Sequence, residues 1–226
     1  MKIGILQCGH IPDALRGELE DYDQLFLTLL GDKGFEFEVF PVVDGAPIPA
    51  PDACDGWLIT GSRHGAYEDH AWIPPLEALI RQIHAEGRPL VGICFGHQII
   101  AQALGGKVEK FAGGWSVGRQ VYTIEGEDIP LNAWHQDQVT ELPADARVIG
   151  STDFCKYAAL AYGDHIYTVQ PHPEFGADVI DGLIRTRGRG NVPDPLLDAA
   201  VAQLDAPLAR TKMADRMAAV LKGEKA

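Results

Sequence analysis

The sequence predicts an α/β domain built on a mostly parallel, doubly wound sheet in three layers. From residue 2 to residue 104, short apolar runs rich in β-branched residues alternate with longer segments whose apolar residues recur at helical spacing. After Gly106 the segments become shorter and are separated by tight turns, which predicts antiparallel strands added to the parallel sheet. Helical stripes return near the end of the chain.

The first half of the chain is predicted to alternate strands and helices in order. Strands are expected over 2–7, 35–43, 56–60 and 89–93, and helices over 15–30, 73–84 and 97–104. Two prolines fit the first turn of the second helix, where a missing N–H costs little. This order favours right-handed crossovers between parallel strands.

The second half is predicted to contain further strands over 117–125, 147–151, 157–162 and 165–170, the last two joined by Gly163 and Asp164. A helix is expected over 178–187, another after an N-cap at Asp194, and an amphipathic stripe over 213–221. We expect one main domain over 1–190 and a helical C-terminal extension over 191–226 packed on it. The last stripe favours a core contact or a homodimer contact over a cofactor site.

Composition excludes several classes of function. The 226 residues carry 32 acidic and 19 basic side chains, a formal charge of −13, so neither nucleic acid nor a membrane is expected as a partner. The four cysteines lack metal-site or disulfide spacing, and no metal or cofactor is predicted. The chain enters a strand at once, without a signal peptide or a spanning apolar run, which predicts a cytoplasmic protein.

Residues 89–98 contain the strongest chemical signal in the chain. Cys94 falls between a buried strand and a helix, with Gly92 and Gly96 on either side. Small neighbours of this kind permit the sharp turn of a nucleophile elbow, and the positive end of the following helix favours a thiolate. Most free cysteines are buried structural residues, but the two glycines and the strand–helix context favour a catalytic Cys94.

A cysteine nucleophile needs a base, and His172 is the best candidate. It follows a predicted strand, where the active edge of a parallel sheet lies, between Pro171 and Pro173, with Glu174 two residues on. A His-Pro-Glu tripeptide by itself is more often a surface turn. Together with the elbow, it predicts that Glu174 orients the His172 imidazole.

These motifs resemble the class I (triad) glutamine amidotransferase family. The resemblance is carried by the elbow over 92–98 and by Pro171-His172-Pro173-Glu174. Thr60-Gly61-Ser62 is similar to the oxyanion loop of that family, and the segment over 135–139 is similar to its His-x-Asp-x-Val turn. The similarity runs in order over about residues 1–180.

The resemblance implies a flavodoxin-like fold and an amidohydrolase that forms a γ-glutamyl thioester. Cys94 would be the nucleophile, His172 the general base and then acid, and Glu174 its orienting carboxylate. The backbone N–H groups of Gly61 and Phe95 would hold the oxyanion. Further residues would grip the α-amino and α-carboxylate groups of the substrate, namely Gln98 and the backbone near Gln136 and Asp137.

The branch of the family and the alternatives depend on departures from the common pattern. Trp134 stands where the family often has serine, and no phosphate-binding loop of an ATP-dependent synthetase is present. The chain resembles the stand-alone γ-glutamyl peptidase-like or GMP synthase glutaminase-like branch. The substrate would then be glutamine or a γ-glutamyl compound. Alternatives are a glutaminase subunit that delivers ammonia to a separate synthetase, and a non-catalytic or redox-sensing flavodoxin-like relative.

Other residues give weaker signals. Arg63 follows the oxyanion loop and could bind a second carboxylate, although a solvated loop explains it equally well. Trp115 and Trp134 could wall the pocket or pack in the core. Cys8 and His10 end the first strand and could lie near the site, but a position away from it is favoured.

Overall fold

The computed structural model describes residues 1–226, and a nine-stranded sheet forms its centre. The strands are β1 (Lys2–Leu6), β2 (Glu36–Phe40), β3 (Gly56–Ile59), β4 (Leu90–Ile93), β5 (Lys107–Lys110), β6 (Ser116–Ile124), β7 (Glu127–His135), β8 (Asp137–Glu141), β9 (Ala146–Ser151), β10 (Ala159–Tyr162) and β11 (Ile166–Val169). The helices are α1 (Tyr22–Leu30), α2 (Ile73–Ala85), α3 (Phe95–Ala103), α4 (Ala177–Leu183), α5 (Asp194–Val201) and α6 (Arg210–Leu221). No helix combines the length and the apolar character that crossing a membrane would require.

The sheet has a parallel half and an antiparallel half. The strand order is β2-β1-β3-β4-β11-β10-β9-β6-β7, and the strands from β2 to β11 are parallel to one another. The remaining strands are antiparallel, including the predicted hairpin of β10 and β11. The predicted α/β sheet with added antiparallel strands is confirmed.

Helices cover both faces of the sheet. On one face α1 and α6 pack on β1 and β4, with Met213, Met217 and Leu221 buried in the core. On the other face α2 and α3 pack on β3 and β4 around Trp57 and Phe95. A third apolar cluster joins α4 and α5 to β6. Of the C-terminal helices, α6 therefore shares a core with the parallel strands, whereas α5 packs in the cluster on β6.

Several predicted boundaries were wrong. The helix predicted over 15–30 is a short 3-10 turn (Asp13–Leu15) followed by α1, because Gly17 has a φ of 86° and the side chain of Asp21 caps Tyr22. The helix predicted to reach residue 187 ends as α4 and continues as a π-helical turn (Ile184–Gly188). Asp194 begins α5, so the N-cap is Pro193. The strands β5, β7 and β8 were not predicted.

Candidate active site

Three neighbouring strands end at the same edge of the sheet and deliver three of the predicted site residues. Gly61 follows β3, Cys94 follows β4 and His172 follows β11, and β4 lies between the other two strands. A Cβ atom placed on Gly61 would lie 3.0 Å from Cε1 of His172 and 3.9 Å from Cβ of Cys94. The structure therefore brings the thiol, the imidazole and the glycine loop to one point.

Cys94 occupies a strained backbone position that its two glycines permit. It has φ 51° and ψ −100°, and its N–H donates to the carbonyl of Val169 at 2.9 Å. A Cβ on Gly92 would lie 2.5 Å from the Ile100 side chain, and one on Gly96 would lie 2.3 Å from the Ile59 carbonyl oxygen. Positive φ at a residue other than glycine is costly and concentrates at functional sites. The sulfur lies at the N-terminus of α3, where the helix dipole favours negative charge.

His172 and Glu174 form a buried pair beside the thiol. Nδ1 of His172 lies 2.6 Å from Oε1 of Glu174, and both side chains are less than 5% exposed. Burial by itself would lower the pKa of His172. Negative charge on Glu174 and on Cys94, together with hydrogen bonding, outweighs burial and raises that pKa well above its usual value. The arrangement therefore favours an imidazolium whenever the sulfur is a thiolate.

A network of contacts fixes the loop over 172–175. The His172 N–H donates to the Asn132 carbonyl at 2.8 Å, and the Asn132 side-chain amide donates to the Phe175 carbonyl at 3.1 Å. The Arg210 guanidinium donates to the carbonyls of Pro173 and Glu174 at 2.9 and 3.0 Å. The ring of Phe175 stacks on the imidazole, with 3.9 Å between centroids and 4° between planes. These contacts hold the imidazole in one orientation.

Two backbone N–H groups are free at the predicted oxyanion position. Phe95 is the first residue of α3, so its N–H has no acceptor within the helix. The N–H of Gly61 donates to no backbone or side-chain group. The Thr60 hydroxyl accepts from the Cys8 N–H and donates to the Gly61 carbonyl, which ties the glycine loop to the chain that follows β1.

The predicted substrate-gripping residues line the same cavity as the thiol, but the Gln98 side chain is already engaged. Its amide donates to the Asp137 carbonyl at 2.9 Å and to Oε1 of Gln170 at 3.1 Å, so only its own carbonyl oxygen is free to accept. The Gln170 amide in turn lies 3.5 Å from the sulfur of Cys94. Gln136 lies between β7 and β8, and its side-chain amide donates to the Phe111 carbonyl. Burial raises the pKa of the Asp137 carboxyl.

These residues line a cavity of about 580 Å³ that opens beside Cys94 and His172. Trp115 and Trp134 form part of its wall, with ring centroids 6.4 Å apart. Three basic side chains also face it, namely Arg63, Lys110 and Arg187. Cys8 and His10 do not line this cavity, because His10 instead bonds Asp21 and Asp44 in a separate groove.

Comparison with known families decides the family to which this chain belongs. The family described as "Glutamine amidotransferase class-I" matches residues 20–184, which is most of the chain. This chain belongs to the class-I glutamine amidotransferase family. Within the family the chain is similar to gamma-glutamyl peptidase 4 of Arabidopsis thaliana, with 31% identity covering 81% of this chain and 80% of the relative.

Further relatives fall in two groups. Gamma-glutamyl peptidase 3 of Arabidopsis thaliana is 31% identical over 72% of each chain. The glutamine-hydrolyzing GMP synthase of Streptococcus uberis is 31% identical over 71% of this chain but only 34% of the relative. A solved glutamine amido transferase from Methylobacillus flagellatus superposes with a TM-score of 0.76 at 22% identity, covering 97% of this chain and 92% of the other. The fold and the enzyme class predicted from the sequence are confirmed.

At the mouth of the amidotransferase cavity, three side chains have metal-ligand chemistry. His64, Glu68 and His70 place their ligand atoms within 4.8 Å of one another. Glu68 already accepts from Nδ1 of His64 at 3.2 Å and Nε2 of His70 at 2.7 Å. The Arg63 guanidinium lies 3.4 Å from the other nitrogen of His64, and its charge opposes a cation there. The cluster is held together by its own hydrogen bonds.

Sequence analysis missed the residues that support the amidotransferase site from a distance. Asn132, Gln170 and Arg210 position the reactive groups, but each lies on a segment remote in sequence from its partner. His135 was assigned only to a turn. Burial, and then the charge of His172, lower the pKa of His135 to about 3, so this ring stays neutral beside the imidazolium.

Proposed function

We propose that this amidotransferase hydrolyses the γ-amide bond of a γ-glutamyl compound through a thioester on Cys94. The observation that carries the proposal is the meeting of Cys94, the His172–Glu174 pair and the free N–H of Gly61 at one strand edge. A nucleophile, a proton carrier with an orienting carboxylate, and paired N–H donors are what acyl transfer requires. Family membership and the gamma-glutamyl peptidase relatives support the same reaction class.

In the first half of the reaction, the Cys94 thiolate attacks the γ-carbonyl carbon. The carbonyl π electrons move to oxygen, and the N–H groups of Gly61 and Phe95 stabilise the resulting oxyanion, each worth about 10²–10³ in rate. The protonated His172 then gives its proton to the amide nitrogen, the C–N bond breaks, and the amine leaves. A γ-glutamyl thioester remains on the sulfur.

In the second half, water replaces the amine. Neutral His172 takes a proton from the water as its oxygen attacks the thioester carbonyl. The second tetrahedral intermediate collapses, the C–S bond breaks, and glutamate and the thiolate form. Glu174 stabilises the imidazolium at both stages. The carbonyl oxygen of Gln98 and the backbone near Gln136 and Asp137 are assigned to the α-amino and α-carboxylate groups.

A substrate panel tests this function. The purified protein is incubated with glutamine, a γ-glutamyl dipeptide and a glutathione conjugate, and ammonia and free amine are measured separately. We expect release of free amine from the γ-glutamyl compounds without a second protein. Turnover of none of them, with the protein folded by circular dichroism, would contradict the proposal.

A second candidate is a glutaminase that delivers ammonia to a separate synthetase. The observation that favours it is the similarity to the glutamine-hydrolyzing GMP synthase of Streptococcus uberis, of which this chain covers only a third. Ammonia released from glutamine only after a synthetase is added would favour this candidate over the self-sufficient peptidase.

The pH dependence of Glu174→Gln tests the role of the carboxylate. The raised pKa keeps His172 protonated. The pair of thiolate and imidazolium is therefore lost as pH rises through the pKa of His172. The Glu174→Gln variant loses the negative charge that raises the pKa of His172. We therefore expect the alkaline limb of its kcat/KM profile to move to lower pH. We also expect kcat to fall roughly 10²-fold or more. An unchanged alkaline limb in the pH–rate profile would remove Glu174 from the mechanism.

A further inference from the structure

Arg187 is unusual among the arginines of this acidic chain. Every other arginine donates to a carboxylate, a backbone carbonyl or a histidine ring. The guanidinium of Arg187 makes no hydrogen bond and no ion pair, although it is half-buried in the wall of the active-site cavity. A guanidinium in a cavity wall without a protein acceptor leaves its five N–H donors available to a ligand.

The surroundings of Arg187 place it beyond the imidazole. Phe175 stacks on His172, and the ring of Tyr22 packs on Phe175 with centroids 5.8 Å apart. Arg187 lies close enough to Tyr22 for its positive charge to act on the phenol. A Cβ on the adjacent Gly188 would lie 3.3 Å from the Trp134 indole, so the same wall contains that ring.

Proton transfer from His172 to the departing nitrogen assigns the cavity wall around Arg187 to the leaving group. The glutamyl end is assigned to Gln98, Gln136 and Asp137. His172 gives its proton to the departing nitrogen, so that nitrogen and whatever is attached to it lie on the imidazole side. Arg187 and Trp134 line the cavity together with Phe175, the ring that stacks on the imidazole. The cavity volume of about 580 Å³ falls in the range of sites for ligands larger than one amino acid.

We propose that Arg187 binds a carboxylate on the leaving amine, and that the enzyme therefore prefers γ-glutamyl amides whose amine is an amino acid or peptide with a free carboxylate. This inference rests on the proposed hydrolase function and adds a subsite to it. The guanidinium fork matches a carboxylate bidentately. Trp134 and Trp115 contact the apolar side chain of the same leaving group.

The Arg187 subsite is tested with two substrates that differ only in that carboxylate. Hydrolysis of γ-glutamyl-alanine and of γ-glutamyl-alaninamide is compared in the wild type, in Arg187→Met and in Arg187→Lys. The matched control is Arg185→Met on the same turn, because Arg185 is exposed and pairs with Glu18 and Asp181. Thermal denaturation of each variant reports on folding.

We expect the wild type to prefer the free acid by about 10- to 100-fold in kcat/KM, the value of a charge-assisted hydrogen-bonded pair. Arg187→Met should remove that preference, mainly through KM for the acid, and leave the amide within about twofold. Arg187→Lys should retain part of the preference, and Arg185→Met all of it. Hydrolysis of both acid and amide by the wild type with equal kcat/KM, or an undiminished preference in Arg187→Met, would overturn the subsite.

Binding separates this inference from the proposed function. Calorimetry with Cys94→Ser measures the Kd of the acid and of the amide without turnover. Tighter binding of the acid that is lost in the double variant Cys94→Ser, Arg187→Met would support the subsite. That support would hold even where the wild type hydrolyses neither compound, a result that would contradict only the hydrolase proposal. Equal Kd values for acid and amide would overturn the subsite even where hydrolysis proceeds.

Discussion

Replacement of Cys94 by serine is expected to abolish hydrolysis of γ-glutamyl compounds, with kcat reduced by at least about 10⁴-fold. A serine hydroxyl is not ionised at neutral pH, and the helix N-terminus and the imidazolium can no longer stabilise a ready-made anion. The substitution changes one atom and leaves the backbone at φ 51° as it was. We therefore expect the thermal midpoint to change little.

The decisive measurement combines kinetics with covalent labelling. A glutamine-mimicking chloroketone should add to the wild-type sulfur of Cys94 and to no other cysteine, as read by peptide mass spectrometry. The matched control is Cys54→Ser, a buried thiol near Gly4 and Trp57 and remote from the cavity. Turnover retained in Cys94→Ser, or labelling at Cys54, would refute Cys94 as the nucleophile.

Replacement of His172 by alanine is expected to lower kcat by about 10³-fold or more, because members of a catalytic triad act as a unit. Two losses coincide in this variant. The leaving amine has no proton donor, and the thiolate loses its cationic neighbour. We expect KM for the substrate to change much less than kcat, since the groups assigned to the glutamyl end are untouched.

A second readout separates the chemical role of His172 from a structural one. Alkylation of Cys94 by iodoacetamide at neutral pH should slow in His172→Ala, because the imidazolium that favours the thiolate is gone. His84→Gln is the control, since His84 lies on α2 against His165 and outside the cavity. A loss of activity below tenfold in His172→Ala, with the alkylation rate unchanged, would contradict the assignment.

Local chemistry made the centre of the site predictable from the sequence. The glycines beside Cys94 are needed within their own turn, where the Ile59 and Ile100 contacts leave no room for a Cβ. His172 and Glu174 are two residues apart and meet through one short turn. Parallel alternation of strands and helices then places the ends of β3, β4 and β11 at one edge.

Long-range contacts could not be predicted in the same way. β7 contains Pro130 and several polar residues, so its pattern is weak, and pairing with β6 along its whole length forms it. Asn132 acquires its role only through that pairing, which brings it to His172. Arg210 reaches the Pro173 carbonyl from a helix almost forty residues away. The engagement of the Gln98 amide by Gln170 likewise depends on the folded chain.

In the proposed enzyme, the π-helical turn after α4 contributes to the choice of leaving amine, and the reactive groups lie elsewhere. Gly61, Cys94 and His172 are fixed by the ends of adjacent parallel strands, whereas Arg187 stands on a turn at the rim of the sheet. On this turn Arg187 lines the cavity, whereas Ile184 packs in the cluster that contains Phe175, and a Cβ on Gly188 would lie 2.9 Å from the Leu197 side chain. An engineer seeking a catalyst for a different amine would therefore begin with a library at Arg187 and keep Ile184 and Gly188 as they are.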